Sequence, residues 1–245
     1  MEGSQIFAFS GILTAPGDEL DNGDLVDHAL SLARVDEPRV CYVPTAVGDS
    51  RVAVEAHEQE FARRRPDVGF SVLTLFPQSN VADPRKHLLD QDVVLVEGGS
   101  VVNLLAVWRA HGLDEAFREA WEAGVVLAGP SAGSLCWHLG GPTDSFRDVL
   151  DPCTDGLGLV PYSNGVHDDF PEQPRRAAYR SMVASGVLPP GYASEDGVGL
   201  HYVGTELVEA VSIRRDARAW WVEPDGEGGY LEREIAPRYL GSPPV

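Results

Sequence analysis

Lysine is nearly absent from this 245-residue chain: Lys86 is the only one, and arginine carries almost all of the positive charge. That skew carries no functional weight, but positive charge as a whole is scarce. There are 19 Lys+Arg against 38 Asp+Glu, a net charge of −19 with a pI near 4.6. Phosphate backbones are held by clustered Lys and Arg, so no nucleic-acid partner is expected. Long apolar runs are missing too. None approaches the ~20 residues that a bilayer-spanning helix needs, so no membrane partner is expected either. Cysteine is limited to Cys41, Cys136 and Cys153, an odd number without a C-x-x-C pair. Neither a disulfide framework nor a metal site is expected, and no cofactor-binding fingerprint is present. Met1-Glu2-Gly3-Ser4 lacks the basic and apolar regions of a secretion signal, so a cytoplasmic location is expected.

What the chain does have is 43% hydrophobic residues, enough to bury a full core, arranged in a repeating rhythm. Short, nearly continuous apolar runs occur at Ile6–Phe9, Val40–Val43, Val72–Phe76, Val93–Val96 and Val125–Ala128. Such runs are the signature of parallel strands covered on both faces. Between them lie stripes with helical spacing, such as Leu25, His28, Ala29 and Leu32, or Leu104, Leu105 and Trp108. Alternating strands and helices predict an α/β fold with a doubly wound, mostly parallel sheet. After about residue 190 the runs crowd together (Val198–Tyr202, Leu207–Ile213, Ala217–Val222, Tyr230–Ile235), which leaves no room for crossover helices. Short antiparallel strands are expected there, followed by a loosely ordered tail at Pro237–Val245. No linker interrupts the chain, so residues 1–245 read as one domain.

Chemistry concentrates at Gly129-Pro130-Ser131-Ala132-Gly133, a G-x-S-x-G motif between an apolar strand and a helix. In that context the glycines allow a sharp turn that exposes the serine at the carboxyl edge of a sheet. The helix that follows directs its N-terminal amides at the same space, so Ala132 N–H is a candidate oxyanion donor. The bland alternative is that small residues merely permit close strand–helix packing. A second turn, Glu97-Gly98-Gly99-Ser100, follows the preceding strand. Turns after parallel strands open on one edge, which makes Gly99 a candidate for the second oxyanion amide.

A serine hydroxyl needs a base. Of seven histidines, His28 and His57 sit on helical stripes as surface or boundary residues, and His87 and His111 read as solvent-facing or capping. His138 follows Ser131 by two helical turns and points away, while His201 falls inside a strand. His167 stands apart in the polar loop Tyr162–Phe170, where a catalytic base is commonly mounted. The acid that would orient it is left open among Asp144, Asp168, Asp169, Glu195 and Asp196.

Taken together, Gly98-Gly99-x-x-x-Asn103-Leu104-Leu105, Gly129-x-Ser131-Ala132-Gly133, Thr143-Asp144-Ser145-Phe146, His167 and Asp196-Gly197 resemble the peptidase E family of serine peptidases, which includes cyanophycinases. The resemblance spans roughly residues 5–222. It implies a class I glutamine amidotransferase-like sheet, no cofactor, a small peptide substrate and a homodimer as one assembly state. By position it makes Ser131 the nucleophile and His167 the base. Asp196 becomes the acid, with Glu195 its rival, and Gly99 and Ala132 the oxyanion donors. Asp144 falls on a supporting position near the site. The aspartyl dipeptidases of the family hold their substrate with a basic residue in a Gly-Glu-Thr-Arg stretch. Here that stretch is Pro171-Glu-Gln-Pro-Arg-Arg176, so Arg175 or Arg176 is the candidate and strict aspartyl specificity is not expected. The expected activity is therefore a dipeptidase or aminopeptidase of serine type. Three competing readings are a strict aspartyl dipeptidase, an α/β-hydrolase-like esterase using Ser131…Asp144…His167 in that chain order, and a non-catalytic binding protein on the same scaffold.

Overall fold

The structure is a computed structural model, and it describes residues 3–12 and 22–241. Alternation within the first strands explains their nearly continuous hydrophobicity. In β1 (Gln5–Phe9), Ile6 and Ala8 enter one core cluster while Phe7 and Phe9 enter another. The same split divides Cys41 and Val43 from Val40 and Tyr42 in β2 (Arg39–Val43), and Val94 and Val96 from Val93 and Leu95 in β4 (Val93–Val96). Successive side chains point to opposite faces, so a strand apolar at every position is one covered on both sides.

These strands, with β3 (Gly69–Val72) and β5 (Val126–Pro130), run parallel in the order β3-β2-β4-β5-β1. Helices α1 (Gly23–Ser31) and α2 (Arg51–Arg64) cover one face through Leu25, Ala29 and Phe61. Helices α3 (Pro84–Leu89), α4 (Val101–His111) and α5 (Leu113–Glu122) cover the other through Leu88, Leu104, Trp108 and Phe117. The doubly wound α/β sheet expected from the sequence is present.

Beyond β5, a four-residue helix α6 (Ala132–Leu135) leads to a small antiparallel pair, β6 (Gly141–Thr143) and β7 (Asp151–Cys153). Next come β8 (Ser163–Gly165), α7 (Arg175–Ala184) and β9 (Gly191–Ser194). The strands expected to be antiparallel are so, but they divide between two sheets. β10 (Val198–Val203) pairs antiparallel with β1, and β11 (Glu206–Ser212) with β10, extending the large sheet. β12 (Ala219–Pro224) and β13 (Tyr230–Ile235) join β8 and β9 in a second sheet of order β13-β12-β9-β8.

Two sequence expectations need correction. The strand expected at Val72–Phe76 ends at Val72, because the amides beyond Leu73 leave the ladder: Thr74 N donates to Asn80 Oδ1, and Leu75 and Phe76 N both donate to Asp49 Oδ2. Leu73 and Leu75 are nevertheless buried, and that burial is what the apolar run encodes. Within the tail, β14 (Arg238–Tyr239) pairs parallel with β11, and Arg238 clamps Glu209 at 2.6 Å. Residues 242–245 of that tail lie outside the described residues.

Candidate active site

Three adjacent parallel strands, β4, β5 and β1, end on the same edge of the large sheet. Each contributes its next residues to one cleft, as expected for crevices outside the carboxyl ends of such strands. After β5 the chain turns at Ser131, whose φ of 52° and ψ of −110° make it one of few non-glycine residues at positive φ. This is the strained conformation of a nucleophile elbow, held here by Ser131 N donating to Phe9 O at 3.0 Å. The flanking glycines have a steric reason. A Cβ on either Gly129 or Gly133 would collide with the carbonyl oxygen of Val96 at the end of β4. Small residues here thus serve close packing and the elbow together.

The turn after β4 lies beside it. Gly99 has φ +132° and sits so close to Ala46, in the short 3₁₀ turn Thr45–Val47 after β2, that a Cβ would lie 2.6 Å from the Ala46 carbonyl oxygen. The Gly98 amide donates to Glu97 Oε1 (2.8 Å) and the Ser100 amide to Ala46 O (2.9 Å), which leaves the Gly99 amide outside these bonds. Ala132 opens α6, where first-turn amides have no intrahelical acceptor.

His167 and four of the five candidate acids come from the second sheet, while Asp144 follows β6. Strands β8 and β9 are parallel with Gly165 opposite Ala193, so the residues just past their ends emerge side by side. His167 Nδ1 meets Asp196 Oδ1 at 2.5 Å, both residues being buried. A carboxylate accepts, so Nδ1 carries the proton and Nε2 the lone pair. Nε2 is buried and has no hydrogen-bond partner. Ser131 and His167 line the same cleft of about 470 Å³, together with Gly99, Ser100, Asp144, Gln173 and Arg175.

The other candidate acids are engaged elsewhere. Asp144 is bound by Arg175 (2.9 Å) and Gln173 (3.1 Å), and Asp169 accepts from Arg214 (2.6 Å) and the Asp196 amide (2.8 Å). Asp168 is buried against Arg180 at 2.6 Å, and that burial raises its carboxyl above the usual range despite the arginine. Glu195 accepts from Arg218 N (2.9 Å), and burial raises its carboxyl as well. The esterase ordering therefore loses its acid, since Asp144 pairs with an arginine rather than with His167. Of the two candidate substrate-binding arginines, Arg175 lines the cleft, where burial lowers its guanidinium from its ordinary value. Arg176 lies instead over the Trp220 ring, 4.1 Å from its centroid, and pairs with Asp168.

The profile of peptidase family S51 matches residues 12–210. An uncharacterized peptidase, YgaJ, of Bacillus subtilis (strain 168) is 37% identical over 223 residues, covering 91% of this chain and 94% of the relative. The chain belongs to peptidase family S51, the peptidase E family. A peptidase E of Shewanella amazonensis is 34% identical over 87 residues, 35% of this chain and 37% of that protein. The fold agrees: a peptidase from an acI-B1 Actinobacterium superposes with TM-score 0.68 at 17% identity, over 96% of this chain and 95% of the other. A putative peptidase E of Listeria monocytogenes EGD-e gives 0.63 at 18% identity, over 86% of this chain and 100% of the other. Peptide-bond hydrolysis is thus the activity class of this S51 chain, on a class I glutamine amidotransferase-like fold. Among the described residues no helix is long and apolar enough to cross a membrane, and no group of His, Cys, Asp and Glu could hold a metal ion.

Sequence reasoning missed several neighbours of this S51 site. Ser10, directly after β1, accepts from the His167 amide at 3.2 Å and bonds Ser194 Oγ at 2.7 Å, tying the two sheets together beneath the histidine. Its only signal was a polar residue and a glycine following an apolar strand. His57, expected as a surface or boundary residue, is the latter: it is half-buried, stacked on Tyr42 with 4.1 Å between centroids, and lies 3.4 Å from Glu97. His138 is not two turns along the elbow helix, because α6 ends at Leu135. It is wholly buried between Ser134 O (2.9 Å) and Tyr202 Oη (3.2 Å).

Proposed function

We propose that this S51 peptidase is a serine-type exopeptidase that releases the N-terminal residue from dipeptides or short peptides, through Ser131, His167 and Asp196. The observation that carries the reading is the state of the histidine. Nδ1 is committed to Asp196 and Nε2 is left without a partner, on a histidine that lines the same cleft as the elbow serine. In the reaction, His167 Nε2 takes the Ser131 proton as Oγ attacks the scissile carbonyl, and the Gly99 and Ala132 amides receive the developing oxyanion. His167 then protonates the leaving amine, the C–N bond breaks, and water activated by the same nitrogen hydrolyses the acyl-enzyme. Asp196 holds the tautomer and balances the imidazolium charge.

Relatives named peptidase E support action on peptide bonds. Strict aspartyl specificity is favoured by Arg175 in the cleft but opposed by Asp144, which already neutralises that guanidinium at 2.9 Å. A broad dipeptidase or aminopeptidase fits this balance better. Free, buried thiols at Cys41, Cys136 and Cys153 suit a reducing cytoplasm. The test is a panel of dipeptides differing in the first residue, given to the wild type and to Ser131→Ala. The reading requires turnover that the substitution abolishes; cleavage surviving in Ser131→Ala would refute it.

A further inference from the structure

An aminopeptidase must recognise an ammonium group close to its nucleophile, and most acids around Ser131 already hold an arginine. Asp144, Asp168 and Asp169 are paired with Arg175, Arg180 and Arg214 respectively. Glu97 is different. Among the described residues its charged-type neighbour is His57 alone, and the carboxylate otherwise accepts from the Tyr42 hydroxyl and the Gly98 amide. His57 Nδ1 lies 3.0 Å from the carbonyl oxygen of Ala53, which can only accept, so that nitrogen carries a proton. His57 Nε2 lies 3.4 Å from Glu97, and no arginine or lysine pairs with this carboxylate among the described residues.

Glu97 is also placed where an ammonium would be needed. It lines a small cavity of about 190 Å³ together with Ser10, Gly99, Ser131 and His167. It lines as well a neighbouring cavity of about 300 Å³, whose walls combine Phe9, Phe61 and Leu95 with the polar side chains of Tyr42, His57 and Glu60. Asn22 borders both cavities, and its Oδ1 is buried without a hydrogen-bond partner, so a second acceptor waits for a donor there.

We propose that Glu97, supported by Tyr42 and Asn22, anchors the N-terminal ammonium of the peptide while the larger cavity receives an uncharged first side chain. This rests on the exopeptidase reading and deepens it. The Glu97 side chain is 19% exposed and pairs with no arginine or lysine among the described residues, so a substrate ammonium would bring it a permanent positive charge when the site is occupied. The substrate class is then short peptides with an unblocked amino terminus.

The test measures binding, so that it does not depend on turnover. In a Ser131→Ala background, leucyl-glycine and its desamino analogue 4-methylpentanoyl-glycine are titrated calorimetrically. The two differ only in the ammonium, and leucyl-glycine is expected to bind at least tenfold tighter. Adding Glu97→Gln should erase that preference and leave the analogue's affinity unchanged; Tyr42→Phe, which keeps the carboxylate, should retain the preference. Equal weakening of both ligands by Glu97→Gln would overturn the proposal, because Glu97 would then merely brace the Gly98-Gly99 turn. A preference that survives Glu97→Gln, or no preference at the outset, would overturn it too. Cleavage of leucyl-glycine by Ser131→Ala would instead refute the serine mechanism and leave the binding result to stand on its own.

Discussion

Replacing Asp196 by asparagine should be far more damaging than replacing its neighbour Glu195 by glutamine. Both acids lie just past the end of β9, yet only Asp196 touches His167, at 2.5 Å, with its side chain 13% exposed. When His167 accepts the serine proton, an imidazolium forms against that carboxylate. Two unit charges about 4 Å apart attract by ~4 kcal/mol at an effective dielectric constant of ~20. Asparagine removes the charge and sets an amide of ambiguous polarity against Nδ1, which also frees the wrong tautomer. At about 1.4 kcal/mol per decade, the loss in kcat is on the order of 10³-fold. Glu195 spends its carboxylate on Arg218 N at 2.9 Å and on Arg176 at 3.4 Å, so Glu195→Gln should cost less than about tenfold. The assay is steady-state hydrolysis of the best dipeptide from the panel, with thermal unfolding of each variant as a control for folding. A loss below tenfold in Asp196→Asn, or equal losses in the two variants, would refute the assignment of the orienting acid.

Gly99→Ala should impair both folding and catalysis, since its Cβ would lie 2.6 Å from Ala46 O at a φ of +132°. Relief of that clash costs about 1–3 kcal/mol of stability and displaces the oxyanion amide, for a ~10²-fold fall in kcat. Measured Tm and kcat unchanged from wild type would contradict the placement of this turn. Burial holds the His138 imidazole down at about 4, against 6.5 for the free side chain. Between those values the unfolded chain binds the extra proton, so stability falls as pH drops through this window and levels off below it. Urea unfolding of His138→Gln between pH 5 and 6 should show a pH slope smaller than wild type by about 1.4 kcal/mol per unit, one proton's worth; an unchanged slope would show that His138 is not the buried neutral group described.

Much of this site could be read from the chain because its parts are local. The strand before Ser131, the two glycines and the small helix after it are contiguous, so the elbow is encoded within a dozen residues. The parallel sheet was legible for a similar reason: Ile6–Phe9 and Val93–Val96 are apolar at every position, and only burial on both faces explains that. Non-local pairings were not legible from periodicity. Asp196 and Glu195 are adjacent and chemically alike, and what separates them is the register of β8 on β9, which places one against His167 and turns the other to the Arg218 amide. Resemblance to peptidase E gave the order of preference, but no pattern in the residues alone did. Glu97 and His57 stayed hidden because 40 residues of chain separate a helix stripe from a glycine turn, and nothing in either stretch announces the other.

Everything proposed for this site requires that Ser131 be a nucleophile activated by His167. Incubation of the wild-type protein with a fluorophosphonate, followed by mass mapping, reads this directly. A single adduct on Ser131 is predicted, absent in Ser131→Ala and formed at least ~10²-fold more slowly in His167→Ala. No adduct, an adduct on another residue, or labelling of Ser131 at an undiminished rate in His167→Ala would contradict it.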